Sequence, residues 1–131
     1  MKKNAVTLME LIVVVIIIGI LATLGTSQYF NFREKALDKE AQSNLRLIIA
    51  AEKIQHLETE AYQAYATTAL INTNLHLAIP NPANPAWNYS VTAPAAGGAV
   101  ATATRNVVNN GRDWCMDNDD EDPRANCGGG D

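Results

Sequence analysis

One carboxylate lies inside an almost uninterrupted apolar run near the start of the chain. From Val6 to Leu24 the polar side chains are Thr7, Glu10 and Thr23. A charged carboxylate in the middle of a bilayer is costly, and less so near the headgroups. Glu10 is therefore either tolerated near a membrane interface or paired with a positive group. If the chain is cut before Val6, the new α-amino group of a neighbouring copy supplies such a charge, and the pair would fix the axial register of the two copies.

An acidic cluster between the two cysteines is the second candidate for chemistry. Residues 117–122 read DNDDED, and alternating oxygen ligands on a loop suit Ca²⁺. The EF-hand pattern fails, because its glycine at the sixth position and its glutamate at the twelfth are both missing. The alternatives are a solvated acidic surface loop and a calcium site with Asp117, Asp119 and Asp122 as ligands.

Cys115 and Cys127 are the two cysteines of the chain. The N-terminal segment has the character of an export signal, which predicts an oxidising compartment, and there we expect the two thiols to form a disulfide. Closing a loop of this size would contribute about 3 kcal/mol in the chain-entropy treatment of disulfides. Two free thiols in a reducing compartment are the alternative.

The histidines do not form part of a catalytic constellation in the sequence. His56 and His76 are the two histidines, and His56 stands four residues from both Glu52 and Glu60. We interpret that spacing as one solvated face of a helix. Neither a Gly-rich phosphate loop nor a quartet of metal ligands is present in the sequence. We therefore expect a protein that is not an enzyme.

The charge of the chain argues against nucleic acid as a primary partner. The formal net charge is −4, and the sequence contains no long run of Lys and Arg. An acidic protein repels the phosphate backbone unless a basic patch reverses the local field.

An apolar N-terminal helix must position Glu10. The run over residues 6–24 would span about 29 Å as a helix, close to the hydrocarbon thickness of a bilayer. Lys2 and Lys3 directly before the run predict a cytoplasmic N-terminus and an exported C-terminus. Because a domain this small cannot bury a segment that is apolar all round, the segment must lie in lipid or against copies of itself.

Helical periodicity continues beyond the apolar run, with polar residues between the apolar ones. No proline occurs before Pro80, and we predict one helix from about Val6 to about Tyr65. Apolar residues recur at helical spacing in two stripes, Leu37, Ala41, Leu45, Ile48 and Ala51, and Leu47, Ala50, Ile54, Leu57, Ala61 and Tyr65. The second half of the helix is therefore predicted to be amphipathic.

The remainder of the chain predicts a small antiparallel sheet. Residues 87–92 and 99–105 each alternate in the manner of a half-buried strand, and we expect two to four strands. Trp87, Tyr89 and Trp114 are expected in a core between helix and sheet. The predicted fold class is α+β, a long N-terminal helix with a hydrophobic first half and an amphipathic second half packed on a small antiparallel sheet.

The segment 5–22 carries a family resemblance. Its sequence, AVTLMELIVVVIIIGILA after the basic stub MKKN, closely resembles the class III signal, or prepilin-type methylation motif, of type IV pilins and type II secretion pseudopilins. The usual form is a basic leader, a small residue, F-T-L-x-E-L and an apolar run ending in G-I-L-A. Ala5 replaces the usual glycine before the cut, and Val6 replaces phenylalanine after it.

The resemblance implies a specific processing and assembly pathway. A prepilin peptidase would cut between Ala5 and Val6 and N-methylate Val6, and Glu10 would neutralise the Val6 amine of an adjacent subunit. Residues 1–5 would be a leader peptide, 6–28 a transmembrane and filament-core half-helix, and 29–131 a globular pilin domain. The implied partners are further copies in a helical filament, the prepilin peptidase, an inner-membrane platform protein, an assembly ATPase, and membrane lipid before assembly.

We therefore expect a structural subunit of a type IV pilus, first a single-pass inner-membrane precursor and then part of an extracellular fibre. A pseudopilin of a type II secretion system, in a periplasmic pseudopilus, is the nearest alternative, because the N-terminal half does not separate the two. An alternative of another class is a monomeric membrane-anchored calcium-binding module. Calcium is the one cofactor under consideration.

Overall fold

The computed structural model describes residues 6–83, 85–93, 97–106 and 112–127, and for residues 24–27 it describes the backbone alone. The elements in chain order are α1 (Leu8–Thr59), α2 (Thr68–Asn74), β1 (Trp87–Thr92), β2 (Val100–Arg105), β3 (Asp113–Asp117) and β4 (Arg124–Ala125). The chain forms two compact units, one ending at Ala36 and the other beginning at Leu37. A long N-terminal helix and a small antiparallel sheet confirm the predicted α+β class.

The first unit contains the apolar part of α1. Its large apolar side chains from Leu8 to Leu21 are between 46% and 75% exposed. The helix satisfies its own backbone hydrogen bonds, which is the condition for a segment surrounded by lipid. Within the described residues, α1 is the one helix long and apolar enough to cross a membrane, judged by length and composition.

The second unit places one apolar stripe of α1 in a core. Ala41, Leu45, Ile48 and Ile49 are at most 1% exposed. Their spacing of three and four residues brings them to one side of the helix, as the first predicted stripe requires. The prediction that this half of the helix is amphipathic is confirmed for that stripe.

The four strands form one antiparallel sheet in the order β1-β2-β3-β4, so that each strand pairs with its neighbour in sequence. Trp87 of β1 lies opposite Arg105 of β2, and Ala103 of β2 lies opposite Trp114 of β3. This order needs only hairpin connections, which is the simplest way to join antiparallel strands.

The inner face of the sheet follows the predicted period of two. Trp87, Tyr89 and Val91 of β1 are at most 3% exposed, and Ala101 and Ala103 of β2 are fully buried. The large residues of β1 fill the space above α1, whereas the small residues of β2 leave room for the side chains of its neighbours. Trp87 and Tyr89 therefore lie in the core as predicted, and Trp114 packs against it partly buried.

Two side-chain hydrogen bonds tie β1 to α1. The Trp87 indole Nε1 donates to the Leu37 carbonyl at 2.9 Å, and the Asn44 Nδ2 donates to the Tyr89 hydroxyl at 2.8 Å. These bonds satisfy the polar atoms that the two aromatic side chains carry into the core. Burial raises the pKa of Tyr89 to about 12.

The predicted C-terminus of the long helix was wrong by several residues. α1 ends at Thr59, Glu60 adopts a left-handed φ of 59°, and Tyr65 lies in an extended bridge with Val91. The Tyr65 N–H donates to the Val91 carbonyl at 2.9 Å, and the Val91 N–H donates to the Tyr65 carbonyl at 2.7 Å. A pair of backbone bonds to the sheet edge thus replaces the helical continuation that the apolar spacing suggested.

Three elements were missed in the sequence. α2 begins after Thr67, whose side chain accepts from the Leu70 N–H as an N-cap. β3 and β4 lie on either side of the acidic turn, at positions that the prediction of two to four strands did not give, and β3 has acidic residues at both ends. In β3 the apolar part is only Trp114 to Met116, which is too short to give a strand signal by itself.

Candidate functional site

The predicted processing and assembly residues lie at the start of α1. Ala5, with Lys2 and Lys3, falls outside the described residues, and Val6 lies two positions before the first helical residue with 62% of its surface exposed. Glu10 lies in the first turn of α1, among exposed apolar side chains. Among the described residues no ion pair involves Glu10. A carboxylate in that position is available to a positive group from outside the chain.

The same turn shows a local role for Thr7 that was missed in the sequence. The Glu10 N–H approaches the Thr7 hydroxyl at 3.3 Å and the Thr7 carbonyl at 3.1 Å. Thr7 therefore caps the helix, and Glu10 occupies the third helical position, where a negative charge is favourable. The signal was present in the sequence as Thr-x-x-Glu at 7–10, the pattern of a capping box.

The disulfide predicted for the C-terminal tail is present. Cys115 in β3 and Cys127 after β4 are bonded to each other. Residues 124–125 pair with β3, with Cys115 opposite Arg124, so the two cysteines approach across neighbouring segments. The covalent bond holds a short terminal strand that two residue pairs alone would hold weakly.

The acidic residues between the cysteines are bound by the protein itself. The Asp120 carboxylate accepts from the Asp117 N–H at 3.0 Å and from the Arg124 guanidinium at 3.3 Å. Asp122 pairs with Arg46 of α1 at 2.5 Å. These contacts stabilise a turn. They direct the carboxylate oxygens to separate partners and not to one point where a metal ion could bind.

The three candidate calcium ligands are therefore not assembled. Asp122 is directed to Arg46, and the Asp117 carboxylate accepts from the Asp119 N–H at 3.4 Å. Throughout the part of the chain that the structure describes, no group of three or more His, Cys, Asp or Glu side chains is arranged to hold a metal ion. The acidic segment is better described as a surface turn that is joined to α1 by the ion pair between Arg46 and Asp122.

Asn118 also joins this turn by hydrogen bonds to Ala99, directly before β2. Its side-chain Oδ1 accepts from the Ala99 N–H at 2.9 Å, and the Asn118 N–H donates to the Ala99 carbonyl at 3.0 Å. Gly98 has a φ of 143°, and a Cβ there would lie 2.7 Å from the Asn118 Oδ1. The close approach therefore requires glycine at position 98.

Glu52 and His56 do not lie on a solvated helix face, and that prediction was wrong. Glu52 is fully buried, and His56 is half-buried with its ring stacked on Tyr62 at a centroid distance of 4.2 Å. The Gln63 N–H donates to one Glu52 oxygen at 3.4 Å, and the other Glu52 oxygen is buried with no hydrogen-bond partner within the described ranges. Burial raises the pKa of the Glu52 carboxyl, opposed by the Gln63 bond.

The spacing of the buried stripe could have revealed this. Glu52 follows Ile48 by four residues and Leu45 by seven, so it continues the row that faces the core. Its burial places a carboxyl beneath the chain segment that leaves α1, where it holds the backbone at Gln63. The neighbouring Tyr65 hydroxyl donates to the Gln55 Oε1 at 2.8 Å. The helix end thus carries polar groups that fix the turn after it.

The chain is similar to a type IV pilin over half of its length. The chain is 34% identical over 65 residues to the type IV major pilin protein PilA of Myxococcus xanthus (strain DK1622), and the match covers 50% of this chain. The match spans 30% of the length of that relative. No protein-family model matches the chain, and no solved structure matches it. The similarity supports the pilin family.

Proposed function

We propose that this protein is the structural subunit of a type IV pilus. The observation that carries the proposal is the exposed apolar part of α1, which no other described segment of the chain covers. Exposed apolar surface on this scale requires a lipid or protein environment. The precursor is inserted in the inner membrane through this segment, and the same surface then packs against sister subunits in the fibre.

Processing is the step that releases the subunit for assembly. A prepilin peptidase cuts between Ala5 and Val6 and methylates the new amine of Val6. The support is the sequence of 5–22, which resembles the prepilin signal, and the similarity to a major pilin. An inner-membrane platform protein and an assembly ATPase then move the subunit from the bilayer into the fibre.

Glu10 selects the register of the incoming subunit. Its carboxylate lies among apolar side chains in the first turn of α1, where the helix N-terminus offsets only part of the cost of a charge in lipid. A positive group is needed to offset the rest. The Val6 amine of a neighbouring subunit supplies that charge. A pair between two copies is strongly coupled where water is excluded, and one Glu10 accepts one amine.

The disulfide and the turn that it closes fit an exported unit. Disulfides persist in oxidising compartments, to which the positive charges at Lys2 and Lys3 direct the C-terminal part. A pseudopilin of a type II secretion system would share all of these features, and fibres on the cell surface separate the two. The calcium-module alternative is left without an assembled ligand set among the described residues.

The proposal is tested with full-length chain in cells that carry a pilus assembly system. We expect mass spectrometry of the harvested subunit to begin at a methylated Val6. Glu10→Ala should leave the protein in the membrane fraction and abolish fibres, because the incoming amine then has no partner. Glu121→Ala, which removes an exposed acid from the tail, is the matched control and should assemble normally. An intact Met1 in the harvested protein, or normal fibres from Glu10→Ala, would contradict the proposal.

A further inference from the structure

An apolar groove runs along the second unit beside α1. Its volume is about 440 Å³, and it lies between α1 and the segment that follows α2. The residues of the groove used below are Leu47, Ala50, Ile54 and Glu58 of α1, with Leu75 and Leu77. The volume falls in the range of roughly 300–1,000 Å³ that holds compact ligands in proteins. One or two aromatic side chains would therefore fit.

The walls of this apolar groove include the second predicted stripe of α1. Leu47 is 46% exposed and Ile54 is 61% exposed, and Leu57 beyond them is 83% exposed. The residues follow helical spacing, so the stripe is continuous along the helix. It forms a wall of the groove and is not covered by the sheet. A contiguous apolar surface of this kind suits a helix that lays its own apolar side chains into it.

A matching surface lies on α1 in the first unit of the same chain. Tyr29, Phe30 and Phe32, here called the aromatic segment, are 67%, 61% and 66% exposed. Tyr29 and Phe30 contact each other edge to face at a centroid distance of 6.1 Å. Arg33 follows directly and is exposed. Phe30 and Phe32 lie about 200° apart around the helix, so one face presents Tyr29 with one of them. Exposed aromatic rings beside an arginine are typical of interface anchors.

When Tyr29 is placed on Ile54, the charges of the two surfaces are complementary in the parallel direction and not in the antiparallel one. Arg33 follows Tyr29 by one helical turn, and Glu58 follows Ile54 by one helical turn. If the two helical segments run parallel, Tyr29 lies on Ile54 and Arg33 lies on Glu58. In the antiparallel direction Arg33 would instead face the apolar residues near Ala50. The parallel direction is also the one that repeated addition of identical subunits requires.

We propose that the apolar groove of one copy receives the aromatic segment of a second copy, with Arg33 paired to Glu58. The inference rests on the proposed function, because it names a contact between filament subunits. The two surfaces are different parts of the chain, so the contact is heterologous, and heterologous contacts that do not close into a ring generate open helical polymers. Every added subunit then brings one new groove and one new aromatic segment.

Cross-linking of fibres tests the geometry. Tyr29→Cys combined with Ile54→Cys, treated with a short bis-maleimide, should give a ladder of covalent oligomers, because each copy then links to two neighbours. Each single variant cannot form a ladder through this contact. Tyr29→Cys with Glu121→Cys is the matched control pair, because Glu121 is exposed and does not line the groove. A ladder from the first pair alone supports the proposal, and equal products from both pairs overturn it.

Charge reversal tests the ion pair. Arg33→Glu and Glu58→Arg should each lower the fibre yield about tenfold, and the double variant should restore it, as complementary interface charges do. Lys53→Glu reverses an exposed charge on α1 that does not line the groove, and it should leave the yield unchanged. Equal loss in the double variant would overturn the pairing.

The outcomes also separate this inference from the proposed function. Normal fibres from the single reversals, together with no cross-linked ladder, would overturn the groove contact and leave the pilus subunit in place. The aromatic segment would then serve the membrane interface alone. Absence of fibres from the unmodified chain in a competent host would overturn the proposed function, and the groove contact with it.

Discussion

The two parts of α1 place their apolar side chains in opposite surroundings. From Leu8 to Leu21 the large apolar side chains are 46% to 75% exposed, whereas Leu45, Ile48 and Ile49 are at most 1% exposed. The second part has a sheet to bury its apolar stripe, and the first part has no such element among the described residues. Helix formation is therefore the same in both, and only the second part obtains its packing energy within the chain. The burial of the first part has to come from lipid or from other copies.

The largest expected effect comes from a substitution in the core of the second unit. Leu45→Ala should lower the free energy of unfolding of the second unit by about 2–5 kcal/mol, because it removes a fully buried side chain and leaves a cavity. Ile16→Ala is the matched change in the first unit, where Ile16 is 56% exposed, and it should leave that unfolding unchanged. Thermal denaturation of full-length protein in detergent measures both. Equal destabilisation by the two variants would contradict the contrast.

The disulfide gives the next effect. Cys115→Ser with Cys127→Ser should lower the free energy of unfolding by about 3 kcal/mol, because the unfolded chain loses its cross-link. Reduction of the unmodified protein should lower its melting temperature in the same direction. The double variant is the control, since reductant should not shift its melting temperature. A reductant effect on the double variant would show that the disulfide is not the group that responds.

Replacement of Glu52 by an uncharged residue of the same size should raise the stability of the protein rather than lower it. Burial raises the pKa of this carboxyl in the folded state, so the folded protein holds its proton more tightly than the unfolded protein does. Its contribution to stability is therefore greatest at a pH below the ordinary value of 4.5 and declines as the pH rises through the raised pKa. Glu52→Gln should raise the free energy of unfolding at pH 7 on the order of 1 kcal/mol, because an amide needs no proton to be neutral.

The pH profile distinguishes this effect from a general change in packing. Glu52→Gln should lose the decline in melting temperature that the unmodified protein shows as the pH rises from that ordinary value toward neutral. The Gln side chain can still accept from the Gln63 N–H, and Tyr65, whose pKa is raised by burial, stays neutral in this range. Glu121→Gln removes an exposed acid and should leave the profile unchanged. A lower melting temperature of Glu52→Gln at pH 7 would show that the charged form is stabilised.

Long, strongly patterned segments could be predicted from the sequence. The helical periodicity placed Ala41, Leu45 and Ile48 on one face, and all three lie in the core. The alternation at 87–92 placed Trp87 and Tyr89 inward, and β1 buries both. These patterns succeed because a whole row of side chains must share one environment.

Short and tertiary features could not be predicted in the same way. The end of α1 depends on the backbone pair between Tyr65 and Val91, which are far apart in sequence. The position of Asp122 depends on Arg46, which lies in α1. Neither partner is visible in the local sequence, so the apolar spacing suggested a longer helix and the alternating oxygen ligands suggested a calcium site. Glu52 is a different case, because its spacing from Leu45 and Ile48 predicts burial whereas its charge predicts a solvated face.

The smallest expected effect concerns the ion pair that joins the tail to α1. The side chains of Arg46 and Asp122 are 51% and 77% exposed, and exposed pairs contribute at most about 1 kcal/mol because water and salt screen them. Asp122→Ala should therefore lower the melting temperature slightly at low salt and have no effect at high salt. Millimolar Ca²⁺ should shift the melting temperature of neither protein, because Asp122 is held by Arg46. The opposite result would be a calcium-dependent shift in the melting temperature of the unmodified protein that is absent in Asp122→Ala. It would show that the tail binds calcium through Asp122.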